Sequence, residues 1–193
     1  MPVPVPQRRG DPLIVDADEE PDRSDPARFA GLKAAFSKNG TVTAANASTL
    51  NDGAAALVVA SAEQADRLGM TKLARIVADS TFAHEPEWFT TAPIEALRKL
   101  YAKTGRGAAD WDLYEINEAF SSVTLATTKE LRLDPERVNV HGGAVALGHP
   151  IGCSGARILV TLLYALRDRG LGSGIATLCL GGGEAVALAV EML

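Results

Sequence analysis

Residues 71–193 alternate short apolar runs with helix-type segments, and this alternation constrains the fold more than any other feature of the sequence. The apolar runs predict strands, which lie at 73–78, 112–116, 138–141, 175–180 and 185–190. Capping signals and apolar residues at helical spacing predict helices between them, which cover 91–104, 119–131 and 154–169. The last two strands are separated by only four residues, so they should pair as a hairpin. The pattern is typical of a layered α/β domain with a mixed sheet.

The residues before this unit show a different composition. Pro2, Pro4 and Pro6 favour an extended segment, and the acidic residues between 16 and 25 predict an exposed loop. The apolar run 54–60 predicts a short buried strand. A capping box at Ser61-Ala-Glu-Gln64 and a glycine at 69 then predict a short helix at 61–68.

Length and charge exclude several classes of protein. A chain of 193 residues with a formal charge of −5 is not expected to be a general nucleic-acid binder. Its two cysteines provide neither a disulfide framework nor a zinc cluster. No apolar window is long enough for a membrane span, and the N-terminus lacks the apolar core of a secretory signal. We therefore expect a cytoplasmic protein that binds neither nucleic acid nor membrane.

The stretch from His141 to Gly155 is the densest concentration of unusual residues. It holds five glycines, two of the three histidines and one of the two cysteines. Glycines at this density allow close approach to a ligand, and a histidine among them at the mouth of a helix suits acid–base chemistry. The alternative is a glycine-rich turn that carries an incidental histidine. A second glycine-rich stretch, Cys179-Leu-Gly-Gly-Gly183, favours the functional interpretation.

Three polar features follow predicted strands or begin predicted helices: Asn117, His149 and Cys179. In open α/β sheets such positions share one crevice, so we expect the three to converge. A thiol beside an imidazole is a candidate nucleophile or general acid/base, and the N–H groups after Cys179 suit an oxyanion hole. The alternatives are a core cysteine at 179, a helix-capping asparagine at 117, and a free-standing Cys179–His149 hydrolase.

Four ordered motifs give the chain its resemblance to a known family. They are Thr41-Val-Thr-Ala-Ala-Asn-Ala-Ser-Thr-Leu-Asn-Asp-Gly53, Asn117-Glu-Ala-Phe120, Gly142-Gly-Ala-x-Ala-Leu-Gly-His149-Pro-x-Gly-x-Ser-Gly155 and Cys179-x-Gly-Gly-Gly183. They resemble the thiolase family, and the first motif is closest to mitochondrial-type acetoacetyl-CoA thiolases. The resemblance implies a layered α/β/α fold. It also implies three parts: a remainder of a CoA-binding loop domain (1–50), the last strand and helix of an N-terminal domain (51–70), and a C-terminal domain (71–193).

The resemblance further implies an acyltransferase site in which two acetyl-CoA molecules condense reversibly to acetoacetyl-CoA and CoA. His149 would activate the nucleophilic cysteine and donate to the thioester oxygen. Cys179 would remove the α-proton, with a pKa lowered by the nearby imidazole and helix N-terminus. Asn117 would hold the water of one oxyanion hole, and the Gly181 N–H would contribute to the other.

Ligand contacts are also implied by the resemblance. Ser48 would touch the pantetheine of CoA, which is a substrate rather than a covalently bound cofactor. The nucleotide end of CoA would meet four residues near the N-terminus, Arg23, Ser24, Asp25 and Arg28. A potassium ion would be held by backbone carbonyls, for which the candidates are Ala44, Ala45, Ala47 and Val145.

The acyl-accepting cysteine of the family lies in an N-terminal half that these residues do not contain. Cys153 occupies a variable position of the His149 motif, and we interpret it as a packing residue. We therefore expect the C-terminal half of a thiolase-type acyltransferase, inactive alone, partnered by an N-terminal half or a homo-oligomer. The alternative is a non-catalytic module for CoA binding or subunit interaction.

Overall fold

A computed structural model describes residues 2–193, and its centre is one four-stranded mixed sheet. The strands are β3 (Ala74–Ala83), β4 (Leu113–Ile116), β5 (Ser173–Cys179) and β6 (Glu184–Met192), arranged in the order β3-β6-β5-β4. β4 runs parallel to β5, whereas β6 runs antiparallel to both of its neighbours. Leu178 pairs with Val186 and Cys179 with Ala185, so the predicted hairpin is confirmed.

Helices cover both faces of this sheet, as the predicted layers require. α3 (Ala92–Thr104) and α4 (Ser121–Leu131) lie on one side, and α6 (Ser154–Arg169) lies on the other. One core contains Leu97, Trp111 and Ile175, and the second contains Ile158, Leu162 and Leu166. No helix within residues 2–193 combines the length and apolar character that a membrane crossing needs.

The helix ends follow from local chemistry. Pro93 stands in the first turn of α3, where its missing N–H leaves no bond unmade. Gly105 and Gly170 end α3 and α6 in the left-handed region, with φ of 69° and 64°. α6 has the bounds that the sequence predicts, while α4 begins two residues later than expected because Phe120 is still extended.

The prediction of a strand at 138–141 is wrong. Val138 makes a single bridge to Tyr114, and the chain then turns at Asn139, whose φ is 49°. The Asn139 side chain binds the backbone of Ile116 instead, accepting from its N–H at 2.8 Å and donating to its carbonyl at 2.9 Å. The Asn139 side chain thus makes the hydrogen bonds to Ile116 that an adjacent strand would make, and the strand pairing of β4 does not continue on this side.

The first seventy residues form small, exposed elements. β1 (Val3–Val5) and β2 (Leu13–Val15) pair antiparallel, and α1 (Glu19–Arg23) precedes a 3-10 helix at Pro26–Gly31. Part of the acidic run expected as loop, Glu19–Arg23, is therefore helical. α2 (Ala62–Arg67) is capped by Ser61, which accepts from the Gln64 N–H, as the capping box predicts.

The prediction of a buried strand at 54–60 is also wrong. This segment has no regular structure, and Val58 and Val59 are 82% and 74% exposed. Apolar β-branched residues favour a strand only where an adjacent strand can pair with them and a core can bury them. None of the described residues supplies that neighbour.

Candidate active site

Asn117 is placed at the carboxyl end of β4 by the sheet itself. Its backbone N–H donates to the Thr177 carbonyl on β5 at 3.0 Å, which continues the parallel pairing by one residue. The residue is 1% exposed and is not the cap of α4, since Phe120 occupies that position. Its carboxamide is therefore free to face the site.

His149 is held by three features of the glycine-rich loop. The short helix α5 (Ala144–Leu147) ends at Gly148, whose φ of 93° turns the chain. A Cβ at Gly148 would overlap the Asn51 side chain, so only glycine fits. The His149 N–H then donates to the Thr49 carbonyl at 2.8 Å, which ties the loop to the N-terminal segment.

The imidazole ring bridges Asn117 and Ser154. Nε2 lies 3.3 Å from Asn117 Nδ2, and Nδ1 lies 2.6 Å from Ser154 Oγ. Ser154 Oγ also lies 3.1 Å from the Pro150 carbonyl, so its one hydrogen can point to either neighbour. The contact that distinguishes the two neutral forms is the one to Asn117: its amide nitrogen can only donate, which favours a lone pair on Nε2 and the proton on Nδ1. Burial, and secondarily the Arg157 charge, lower the pKa of His149, which favours this neutral ring.

Cys179 ends β5 at the same edge of the sheet as Asn117, and 7% of it is exposed. Its side chain packs within the core that contains Ile116 and Val123, as the alternative of a core cysteine predicts. Burial raises the pKa of the Cys179 thiol to about 11. The expected lowering is wrong, because no hydrogen bond from His149 reaches the sulfur in residues 2–193 and desolvation dominates.

Gly181 lies in the turn of the β5–β6 hairpin. The turn is closed by the Leu180 N–H donating to the Glu184 carbonyl at 2.7 Å and by the Gly183 N–H donating to the Leu180 carbonyl at 3.2 Å. Within the described chain the Gly181 N–H has no acceptor, and the residue is exposed. A free, exposed donor beside Cys179 is what the predicted oxyanion role needs.

Ser48 is held near the site by hydrogen bonds to Ala119, two residues after Asn117. Its N–H and its hydroxyl both donate to the Ala119 carbonyl, at 3.1 and 2.9 Å. The hydroxyl oxygen keeps its lone pairs, so it can accept from an amide N–H of a ligand. This geometry is compatible with the pantetheine contact, which stays a prediction.

The four residues expected at the nucleotide end of CoA lie in and just after α1, and all are exposed. Arg23 is paired with Glu19 and Glu20 on its own helix. Ser24 donates to the Glu20 carbonyl, and Asp25 caps the following 3-10 turn that contains Arg28. α1 packs against α5, so the group lies near the His149 loop. The nucleotide contact stays a prediction.

The potassium candidates satisfy one requirement. Within residues 2–193, the carbonyl oxygens of Ala44, Ala45, Ala47 and Val145 accept no backbone hydrogen bond. At Val145 the N–H of the same residue donates to the Glu118 carboxylate at 3.2 Å. Free carbonyls are the donor type that potassium takes in proteins, so the residues fit the ion by chemistry. The site itself stays a prediction.

Comparisons with known proteins identify the family of this chain. Residues 70–192 match the family model described as thiolase, C-terminal domain, and residues 1–63 match thiolase, N-terminal domain. The chain belongs to the thiolase family. The finer division of the first seventy residues into loop-domain and N-terminal-domain parts stays a prediction.

Individual relatives extend the match over the whole chain. Acetyl-CoA acetyltransferase of Thiocystis violacea is 51% identical over 194 residues, covering 100% of this chain and 49% of that protein. The crystal structure of the Bacillus anthracis acetyl-CoA acetyltransferase superposes with a TM-score of 0.95 at 49% identity, over 100% of this chain and 49% of that one. Acat5 thiolase from Ascaris suum in complex with coenzyme A superposes at 0.85 and 44% identity, over 93% and 47%. The predicted thiolase-type layered fold is thereby confirmed, and the chain spans about half the length of these relatives.

Several residues of this candidate site were missed by sequence reasoning. Glu118 binds Asn139 Nδ2 and the Val145 N–H, so it joins the end of β4 to the His149 loop. Glu115 and Arg157 form a buried pair behind Asn117, with Nη1 and Oε2 separated by 3.8 Å. A charged residue within the otherwise apolar strand Leu113–Ile116 was the signal available for Glu115.

The geometry around His149 does not support the alternative of a free-standing Cys179–His149 hydrolase. A hydrolase triad places a carboxylate on Nδ1 of the histidine, where it stabilises the imidazolium. In this thiolase the partner of His149 Nδ1 is the hydroxyl of Ser154. Cys153 borders an open cleft with Gly53 and Pro150 and is partly exposed, so its packing role stays a prediction.

Proposed function

We propose that this chain supplies the C-terminal part of an acetyl-CoA acetyltransferase site, which condenses two acetyl-CoA molecules to acetoacetyl-CoA and CoA. The observation that carries the proposal is the neutral His149 ring with Nε2 facing Asn117 Nδ2 at 3.3 Å. An imidazole with an unprotonated Nε2 is a general base for a thiol. Membership of the thiolase family and the names of the relatives support the substrate class.

In the first step of this proposal, His149 Nε2 takes the proton of an acyl-accepting cysteine. The thiolate attacks the carbonyl carbon of acetyl-CoA, a carbon–sulfur bond forms, and CoA thiolate leaves. Both cysteines of this chain have other assignments, so the acyl-accepting cysteine belongs to an N-terminal thiolase half. Asn117 and a water it orients stabilise the thioester oxygen during the attack.

The raised pKa of Cys179 fits a role on the leaving group. A thiol with a pKa of about 11 is protonated at neutral pH, so it enters as an acid. It gives its proton to the departing CoA thiolate and becomes a thiolate itself. That thiolate then removes the α-proton of the second acetyl-CoA, while the Gly181 N–H stabilises the enolate oxygen. The carbanion attacks the acyl-cysteine, releasing acetoacetyl-CoA and the cysteine thiolate, which regains its proton from His149.

The test is complementation with an N-terminal thiolase half. We expect no acetoacetyl-CoA cleavage by the purified chain alone, and CoA-dependent cleavage when the N-terminal half of the Thiocystis violacea enzyme is added. Cys179→Ser should lower the restored rate by roughly 10²–10⁴, the usual contribution of general acid–base catalysis. Cys153→Ser is the matched control and should leave the rate unchanged.

Other outcomes would contradict the proposal. Turnover by the chain alone would show that no second half supplies the nucleophile. A stable complex with CoA bound but no turnover would favour the alternative, a non-catalytic module for CoA binding or subunit interaction. Potassium binding and the oligomeric partner are separate proposals, tested by the potassium dependence of the restored rate and by the mass of the complex.

A further inference from the structure

Arg157 has an unusual set of contacts for a largely buried arginine. Its side chain is 18% exposed, yet its only hydrogen bond within residues 2–193 runs from Nη2 to Asn117 Oδ1 at 3.4 Å. Nε and Nη1 have no acceptor, and neither has a bond to the Glu115 carboxylate. A buried cation that leaves two donors unpaired is a poor stabiliser of the fold. Its placement therefore needs another explanation.

The direction of each hydrogen bond along this row of groups can be assigned. A guanidinium can only donate, so the carboxamide atom of Asn117 that faces Arg157 must be the oxygen. The amide nitrogen is then turned toward His149 Nε2, and it too can only donate. At the far side of the ring, Ser154 Oγ can accept from Nδ1 while its own hydrogen points to the Pro150 carbonyl. The contact to Asn117 thus selects the form of the imidazole that is protonated on Nδ1, and Ser154 can accommodate it.

We propose that Arg157 is a positioning residue that holds Asn117 in the orientation directing its N–H at His149 Nε2. Through Asn117 it keeps the ring in the Nδ1–H form, with Nε2 unprotonated. The importance of this form for catalysis rests on the proposed acyl transfer, in which Nε2 accepts the thiol proton. Arg157 itself touches neither substrate nor reacting atoms in that scheme.

Glu115 lies beside the guanidinium without binding it. Its carboxyl is 1% exposed, and Oε2 lies 3.8 Å from Arg157 Nη1. Neither oxygen has a hydrogen-bond donor within the described chain, so Glu115 does not compete with Asn117 for a directed bond. No directed bond joins the two side chains, so the single directed bond of Arg157 goes to the carboxamide.

The test is a spectroscopic measurement of the His149 ring in the full chain. Long-range ¹H–¹⁵N spectra of histidine-labelled protein at pH 7.5 distinguish protonated from unprotonated ring nitrogens, and His149→Gln assigns the signal among the three histidines. We expect a protonated Nδ1 and an unprotonated Nε2 in the native chain. In Arg157→Met the carboxamide can rotate, so both nitrogens should shift toward values averaged over the two neutral forms. Arg167→Met, an exposed position on the same helix, should leave the spectrum unchanged.

Asn117→Asp provides a second variant that does not depend on removing the buried charge. It keeps a partner for Arg157 but replaces the donor that faces Nε2 with an acceptor, so Nε2 should become protonated. A native chain with a protonated Nε2, or an Arg157→Met spectrum like the native one, would overturn the proposal. These readouts do not require turnover. Failure of the complementation assay would therefore contradict the acyl-transfer function and leave the assignment of Arg157 standing.

Discussion

Glu115 should make the stability of this chain fall as the pH rises. Burial raises the pKa of Glu115 from 4.5 to about 8, against the opposing effect of Arg157. Between these two pH values the carboxyl is protonated in the folded chain and ionised in the unfolded chain. The unfolded state then binds fewer protons, so the free energy of unfolding decreases as pH increases.

The size of the effect follows from the two pKa values. Each factor of ten in an ionisation constant corresponds to about 1.36 kcal/mol, so the contribution of Glu115 should fall by about 3 kcal/mol between pH 5 and pH 7.5. Glu115→Gln removes the ionisation and keeps the volume of the side chain. The free energy of unfolding of the variant, relative to the native chain, should therefore rise by about 3 kcal/mol over this range.

The measurement is urea unfolding of both chains at several pH values, with linear extrapolation to water. Glu87→Gln is the matched control, since Glu87 is exposed on the 3-10 helix Pro86–Thr91 and its removal should not change the pH profile. A native-minus-variant difference that stays constant from pH 5 to 7.5 would refute the reasoning. It would mean that Glu115 stays ionised beside Arg157 and that their attraction outweighs the desolvation of the carboxyl.

Three further predictions concern other parts of the site. In a Cys153→Ser chain, iodoacetamide should label Cys179 very slowly at pH 7.5 and faster as the pH approaches 11, because burial raises the pKa of the thiol to about 11; rapid labelling at pH 7.5 would contradict this. Gly148→Ala should lower the free energy of unfolding by roughly 1–3 kcal/mol, since φ is 93° and a Cβ meets a side chain, whereas Gly10→Ala, with φ of 83° and open space, should cost less; equal urea midpoints would refute the steric argument. Asn139→Ala should destabilise by about 2 kcal/mol through its lost hydrogen bonds, and an unchanged thermal unfolding midpoint would show that these bonds contribute nothing.

Glu118 shows why the end of β4 and the His149 loop behave as one unit. Its carboxylate accepts from Asn139 and from the Val145 N–H, and a Cβ at Gly143 would overlap it. A side chain at 143 would displace the Glu118 carboxylate, so the glycine there is favoured by this close approach rather than by backbone conformation. This contact lies in the Asn117-Glu-Ala-Phe120 motif, so two motifs that are distant in sequence meet in the structure through Glu118.

The sequence by itself determined the C-terminal architecture. Helix caps such as Gly105 and Gly170, and the four-residue connection of the last hairpin, are local signals that depend on neighbouring residues alone. Asn117 follows β4 and Cys179 ends its parallel neighbour β5, so their placement at one edge of the sheet also followed from the order of the elements. The motifs were sufficient to indicate the thiolase family, which the family models confirm.

The tertiary structure alone decided the properties that depend on surroundings. The apolar run 54–60 lacks an adjacent strand and is exposed, and 138–141 turns at Asn139 instead of forming a strand. The Cys179 thiol has a raised pKa, because burial outweighs the backbone hydrogen bond that lowers it. The proton position on His149 depends on Ser154 and on the row of groups that leads to Arg157. Pairing, burial and hydrogen-bond direction are set by residues distant in sequence, which no local pattern records.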